Sequence, residues 1–240
     1  MKKTILAIAL MAPGLAFAST HGSRVGLSFS TNNITINGGG ASASVGGVIT
    51  TGLSLTGDPR VGGSRMRVRT SLDEGRSQGA AYQAFKIGLT PDPHAAFSPV
   101  VGIGLLSASG VQAPAYSYTN YSYNPQTFSG SSTTVTVTPP PVSIMTAFVS
   151  AGLRYQKFLA PHLRVRGTVS ALIGIGGSTS GLPAASNSGS GVGHAIDVAL
   201  VYDPTPRSQV TIGYGSESLP IRGYSLGASG LTVRAGYRFF

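Results

Sequence analysis

The chain has 240 residues, with 17 Lys plus Arg against 7 Asp plus Glu for a net charge of +10, and no cysteine. Charged residues make up only 10% of it, far below the roughly 25% of soluble domains, so something other than water must face much of its surface. No disulfide framework is possible, and the 34 glycines argue against helices, because each interior glycine costs about 1 kcal/mol relative to alanine; the expected class is all-β.

The chain opens with Lys2 and Lys3, an apolar run over 5–15, and the small-residue stretch Ala16-Phe17-Ala18. This pattern is that of a secretory signal peptide over 1–18, cleaved after Ala18. The run is shorter than the roughly 20 residues a spanning helix requires. The expected mature domain, 19–240, retains no apolar stretch long enough to cross a membrane as a helix, so it is either soluble and exported or embedded by another geometry.

From there apolar residues alternate with small or polar ones in segment after segment. Val25, Leu27 and Phe29 share one parity, followed by Val45, Ile49, Leu53 and Leu55, then Met66, Val68 and Leu72, then Phe85, Ile87 and Leu89. Phe97, Val101, Ile103 and Leu105 come next, and Met145, Ala147, Val149, Ala151, Leu153 and Tyr155 form the longest run. Leu163, Val165, Val169 and Ile173 precede Ile196, Val198, Leu200 and Tyr202, then Val210, Ile212 and Tyr214, and finally Leu231, Val233, Ala235, Tyr237 and Phe239. About ten strands result, most near the 9 to 11 residues that cross a bilayer at a tilt.

A soluble β-sandwich shows the same alternation, but the connections discriminate. Alternate links are short and made of turn formers, as in Gly57-Asp58-Pro59-Arg60, Pro91-Asp92-Pro93-His94, Leu159-Ala160-Pro161-His162 and Asp203-Pro204-Thr205-Pro206. The others, 31–40, 73–79, 107–141, 176–191 and 217–230, are longer and rich in Ser, Gly, Asn and Tyr. Short periplasmic turns with long extracellular loops describe a transmembrane antiparallel up-and-down β-barrel. Phe97, Tyr155, Phe158, Tyr202, Tyr237 and Phe239 all fall at the short-turn ends, where an aromatic girdle would lie. The tyrosines at 116, 118, 121 and 123 with Thr133 to Val137 either form an extra hairpin or extend the flanking strands, so eight or twelve strands also fit.

The final strand adds a resemblance. Its outward residues Leu231, Val233, Ala235, Tyr237 and Phe239, with the ending Ala235-Gly236-Tyr237-Arg238-Phe239, resemble the last strand of small bacterial outer-membrane β-barrels of the porin-like superfamily, which finishes Tyr-x-Phe. Phe240 stands one residue beyond the usual end. The resemblance implies a Gram-negative outer-membrane location, lipid and lipopolysaccharide around the wall, and recognition of Tyr237, Phe239 and Phe240 by the barrel-assembly machinery.

With the apolar parity facing lipid, the other parity lines the lumen. It carries Arg24, Arg65, Arg67, Arg69, Lys86, Arg154, Arg164, Arg166, Arg234 and Arg238 against one strand acid, Asp197. So few acids imply a hydrated or anion-occupied interior rather than one sealed by salt bridges. Two functions compete: a narrow pore for small anionic solutes, and a closed barrel acting as a surface or adhesin scaffold through its loops, in particular the aromatic stretch 116–128.

Catalysis has a weaker basis. Outer-membrane proteases carry paired aspartates with an Asp-x-His couple, and lipid A deacylases a His-x-Ser couple. His21, His94, His162 and His194 are the only histidines, and His194-Ala195-Ile196-Asp197 fits neither pattern. No catalytic residue, metal site or cofactor is expected; Asp73-Glu74 reads as a solvated turn. Nucleic acid is excluded as a partner, since the basic residues are dispersed inside a barrel rather than clustered on an outer face.

Overall fold

The structure is a computed structural model that describes residues 23–38, 41–61, 64–124, 126, 129–181, 191–221 and 223–239. The expected signal peptide, His21 and Phe240 lie outside the described residues.

Strands run in chain order as β1 (Arg24–Gly38), β2 (Ala41–Gly57), β3 (Arg60–Val61), β4 (Ser64–Ser77), β5 (Ala80–Pro91), β6 (Phe97–Val111), β7 (Tyr116–Asn124), β8 (Ser129–Val137), β9 (Val142–Ala160), β10 (Leu163–Ser180), β11 (Val192–Tyr202), β12 (Ser208–Ile221) and β13 (Tyr224–Arg238). The sheet order is β2-β1-β13-β12-β11-β10-β9-β6-β5-β4, and a further β2–β4 pairing closes it into an antiparallel ring of ten strands. The last strand closes against the first over its full length, from Arg24 opposite Arg238 to Gly38 opposite Tyr224. Closure pairs the backbone of both terminal strands, as a wall in hydrocarbon requires. β3 is a two-residue extension paired with β4. β7 and β8 form a separate two-stranded ribbon, so the tyrosine segment adds no strand to the barrel.

Lower on the wall, toward the short turns, the outward face is apolar and exposed: Leu27, Phe29, Ile49, Leu53, Val101, Ile103, Leu153, Val169, Ile212 and Val233. On β13 this face runs from Leu231 to Tyr237 and on to Phe239, about nine residues, the span of a bilayer-crossing strand. Above it the pattern inverts. Asn33, Asn37, Ser42, Ser44, Glu74, Arg76 and Gln83 are exposed, while Ile34, Ile36, Val45, Val48, Leu106, Ile144, Phe148, Leu172, Leu219 and Leu226 are buried inside the bore. The barrel is inside-out in lipid and a conventional apolar-core barrel beyond it.

This inversion explains why several expected loops are strands. β1 continues to Gly38, β4 to Ser77, and β12 and β13 meet at a tight turn around Gly223. Their Ser, Asn and Gly content is that of a water-facing wall. A bulge also moves Val45 from its expected outward side. Asn32 pairs with Val48 but Ile34 with Val45, so β2 carries one extra residue there. Gly47 takes φ +66°, and its N–H donates to Asn33 Oδ1 at 3.2 Å. The extra residue flips the parity, leaving Ile49 in the outward belt and Val45 in the core.

The inversion predicts opposite outcomes on one strand. Leu53→Arg, outward and within the apolar belt, is expected to cost about 2–4 kcal/mol, whereas Ser44→Arg, outward but above the belt, stays within about 0.5 kcal/mol. Urea unfolding of the protein refolded into lipid vesicles checks both.

Candidate functional site

The inward face of the lower barrel encloses a cavity of about 340 Å³. Arg24 on β1, Arg67 and Arg69 on β4, Lys86 on β5, Arg154 on β9, Arg164 and Arg166 on β10 and Arg234 on β13 line it. Strand alternation places them there, since lipid on the other side would cost about 2–4 kcal/mol for a mid-bilayer Arg or Lys. Arg238 pairs across the strands with Arg24 and lies outside the cavity wall. Arg65 is exposed at the periplasmic end, opposite Arg60 of β3, and does not reach the cavity. Lys157 escaped sequence notice because β9 extends further than expected; it shares the parity of Tyr155 and is exposed at the periplasmic end, where a long side chain can reach water.

The lumen holds more acid than alternation alone indicates. Asp197 is joined on the wall by Asp73 and Glu217, and the turn residues Asp58 and Asp203 pair with lumen bases. Arg67 donates from Nε and Nη2 to the two Asp58 oxygens at 2.7 Å each. Arg164 lies 2.8 Å from Asp203 and Arg166 3.6 Å from Asp197. Asp73, expected in an outer turn, lies within β4 and accepts a 3.0 Å hydrogen bond from Ser28 of β1. It crosses the intervening β2 at Gly52, where a Cβ would collide with its carboxylate.

Lys86 and Tyr82 of β5 both bind Glu217 of β12, Lys86 Nζ to Oε2 and the Tyr82 hydroxyl to Oε1 at 2.8 Å. β5 and β12 stand diametrically opposite in the ring, so this pair spans the bore. Tyr82 also belongs to the apolar cluster of the outer half, to which eight of the ten barrel strands contribute. The crossing pair therefore lies against the underside of an apolar roof, with Phe148 and Leu172 common to roof and cavity. At the other end, Arg154 Nη2 and Gln156 Nε2 donate to the Pro93 carbonyl at 2.9 and 3.0 Å, drawing the β5–β6 turn inward.

Five of the six expected girdle residues are exposed near the short-turn ends of their strands: Phe97 and Tyr155, paired across strands with ring centroids 4.9 Å apart, Tyr202, and Tyr237 edge-on to Phe239. Phe158 differs in parity. It pairs with Arg164 on the lumen parity, and the guanidinium sits 5.7 Å from its ring centroid. Its parity is that of Arg154 and Gln156 on the same uninterrupted stretch of β9; the bulge, where Leu163 pairs with Ala160 but Arg164 with Phe158, lies beyond it. His94 and His162 occupy periplasmic turns, and His194 is exposed on β11. Burial, then the nearby Arg67 charge, lowers the His94 pKa.

No family model and no curated protein matches the chain. Among solved structures it is similar to the translocator domain of the autotransporter NalP from Neisseria meningitidis (TM-score 0.43, 12% identity, covering 99% of this chain and 98% of that one). It is likewise similar to the outer membrane protease OmpT from Escherichia coli (0.47, 8%, 92% and 98%) and to the transport unit of the autotransporter AIDA-I from Escherichia coli (0.42, 10%, 96% and 97%). The fold assignment rests on the closed sheet itself.

The Asp58–Arg67 pair gives a pH-dependent test. Burial pushes the Asp58 carboxyl up, but the Arg67 hydrogen bonds and charge hold it below its ordinary 3.8 overall. A depressed folded pKa stabilises the fold above the unfolded value and loses that contribution as pH falls through the folded one. Asp58→Asn is expected to destabilise the barrel by about 1–3 kcal/mol at pH 7. Urea titrations at descending pH are expected to show the gap to wild type closing only below pH 3.8.

Proposed function

We propose that this outer-membrane barrel is a closed scaffold that displays its outer segments at the cell surface and does not conduct at rest. The single observation carrying the reading is the apolar cluster in the outer bore, reinforced from below by the Lys86–Glu217–Tyr82 crossing. A ten-strand barrel lies near the size that side chains can fill, and here they fill its outer half. The arginine excess that suggests an anion pore ends beneath a dry layer, and an ion would have to displace that layer to pass.

The displayed element is the β7–β8 ribbon. Its strands hydrogen-bond only to each other in the sheet, and residues 95–153 contain no Asp, Glu, Lys or Arg. Tyr118, Tyr121 and Tyr123 are exposed, Tyr121 by 85%. Rigid tyrosines among Ser, Thr and Asn suit an uncharged ligand, a glycan or a protein surface, by stacking and neutral hydrogen bonds. At the ribbon's base Val111 pairs with Val142, and Gln112 Nε2 donates to the Pro139 carbonyl, which ties its two ends together.

In planar bilayers the refolded protein is expected to be silent at every voltage; steady anion-selective conductance would overturn the closed reading. Replacing 116–137 by a short Gly-Ser link is expected to leave heat-modifiable mobility on gels unchanged while removing any surface adhesion the full chain confers.

A further inference from the structure

The charges inside the lower cavity do not balance. Eight bases line it, and their acids are three on the wall, Asp73, Asp197 and Glu217, with Asp58 and Asp203 at the rim. Most acids are already engaged: Asp58 with Arg67, Asp203 with Arg164, Glu217 with Lys86 and Tyr82, Asp73 with Ser28. Arg69 and Arg234 have no ion-pair partner among the described residues. They stand on β4 and β13, separated in the ring by β1 and β2, yet both line this cavity together with Arg166 of β10. Arg166 itself is held only loosely by Asp197, at 3.6 Å. Among the cavity bases, the Nε atoms of Arg24, Arg154 and Arg234 are buried and lack a hydrogen-bond partner.

We propose that this cavity is a binding site for a compact polyanion of the phosphate class, held between Arg69, Arg166 and Arg234 and admitted from the periplasmic side. Guanidinium groups converging from three separated strands offer planar, paired donors that match phosphate oxygens. The volume, about 340 Å³, falls in the range of small-molecule sites. The roof fixes the direction of entry, because the outer bore is packed with apolar side chains. A polyanion here would neutralise more of the surplus charge than a monovalent counterion and would lie beside Arg234, whose Nε has no hydrogen-bond partner. The site does not depend on the surface role of the ribbon, and it deepens the closed-barrel reading only in its direction of access.

Titration calorimetry with inorganic pyrophosphate, on protein refolded in an uncharged maltoside detergent, tests the site. One saturable equivalent per chain is expected, together with a raised melting temperature. Losing two charge-assisted contacts in Arg69→Gln/Arg234→Gln is expected to weaken binding about tenfold or more. Arg60→Gln/Arg76→Gln, which removes the same charge from exposed positions, is expected to leave affinity within about twofold. Should the first pair fail to refold, Arg69→Lys retains the charge, loses the paired donors and is expected to give an intermediate affinity. Phosphatidylglycerol added to the same micelles separates the two sources of phosphate: displacement of pyrophosphate identifies a lipid headgroup, and its absence a soluble anion. No saturable binding, or equal loss in the inner and outer pairs, overturns the proposal. Sidedness separates it from the closed-barrel reading: in oriented proteoliposomes, pyrophosphate acting from the periplasmic face supports the site whether or not the barrel conducts.

Discussion

The structure depends on one constraint: the apolar side of the wall must change faces where the lipid ends. Within the bilayer a strand buries Leu, Val and Phe outward and carries its charges inward; a few residues further along the same strand, water lies outside and the apolar residues must turn inward. β1 does this without a register change, since Leu27 and Phe29 are odd-numbered and outward while Ile34 and Ile36 are even-numbered and inward. β2 needs the Gly47 bulge to keep both Ile49 and Val45 on the correct side. The roof over the lumen follows from this switch, since apolar side chains turned inward around a narrow ring have only one another to pack against.

Beneath the roof the lumen has the opposite problem. Basic side chains are forced inward by the lipid, and each needs water, an acid or another anion. The protein meets part of this need from outside the strands: Asp58 and Asp203 enter from the periplasmic turns to Arg67 and Arg164. Glu217 supplies another part by receiving Lys86 and Tyr82 across the bore. The remainder, centred on Arg69 and Arg234, is where a ligand has chemical reason to bind.

Much of this was legible in the sequence. Period-two alternation with short and long links identifies the barrel, because lipid and lumen each impose a residue class on alternate positions; β9 and β13 show it plainly. Legibility failed where apolar residues occupy the other parity. Ile34, Ile36, Ile144, Phe148 and Leu226 were in view, but a lipid-facing template has no place for them, and the Ser- and Asn-rich segments around them read as loops. A single bulge residue is not visible in a periodicity, so the alternation puts Val45 on the outward face; Phe158 joins the girdle only by its level near the short turns, against the even parity it shares with Arg154 and Gln156. Asp58 and Asp203 stand among turn formers, and nothing in a local pattern shows that a turn carboxylate reaches an arginine inside the ring.

The switch of faces is most directly tested by spin labels on β13 in lipid bilayers, attached to introduced cysteines in a chain that has none of its own. Collision with oxygen reports hydrocarbon, and collision with a water-soluble nickel chelate reports solvent. The account predicts that labels at Leu231 and Val233 meet oxygen and those at Ser225 and Ser229, on the same outward parity, meet nickel. Oxygen-rich, nickel-poor labels at all four positions would place the whole strand in lipid and contradict the inversion on which the roof, the closed bore and the one-sided cavity rest.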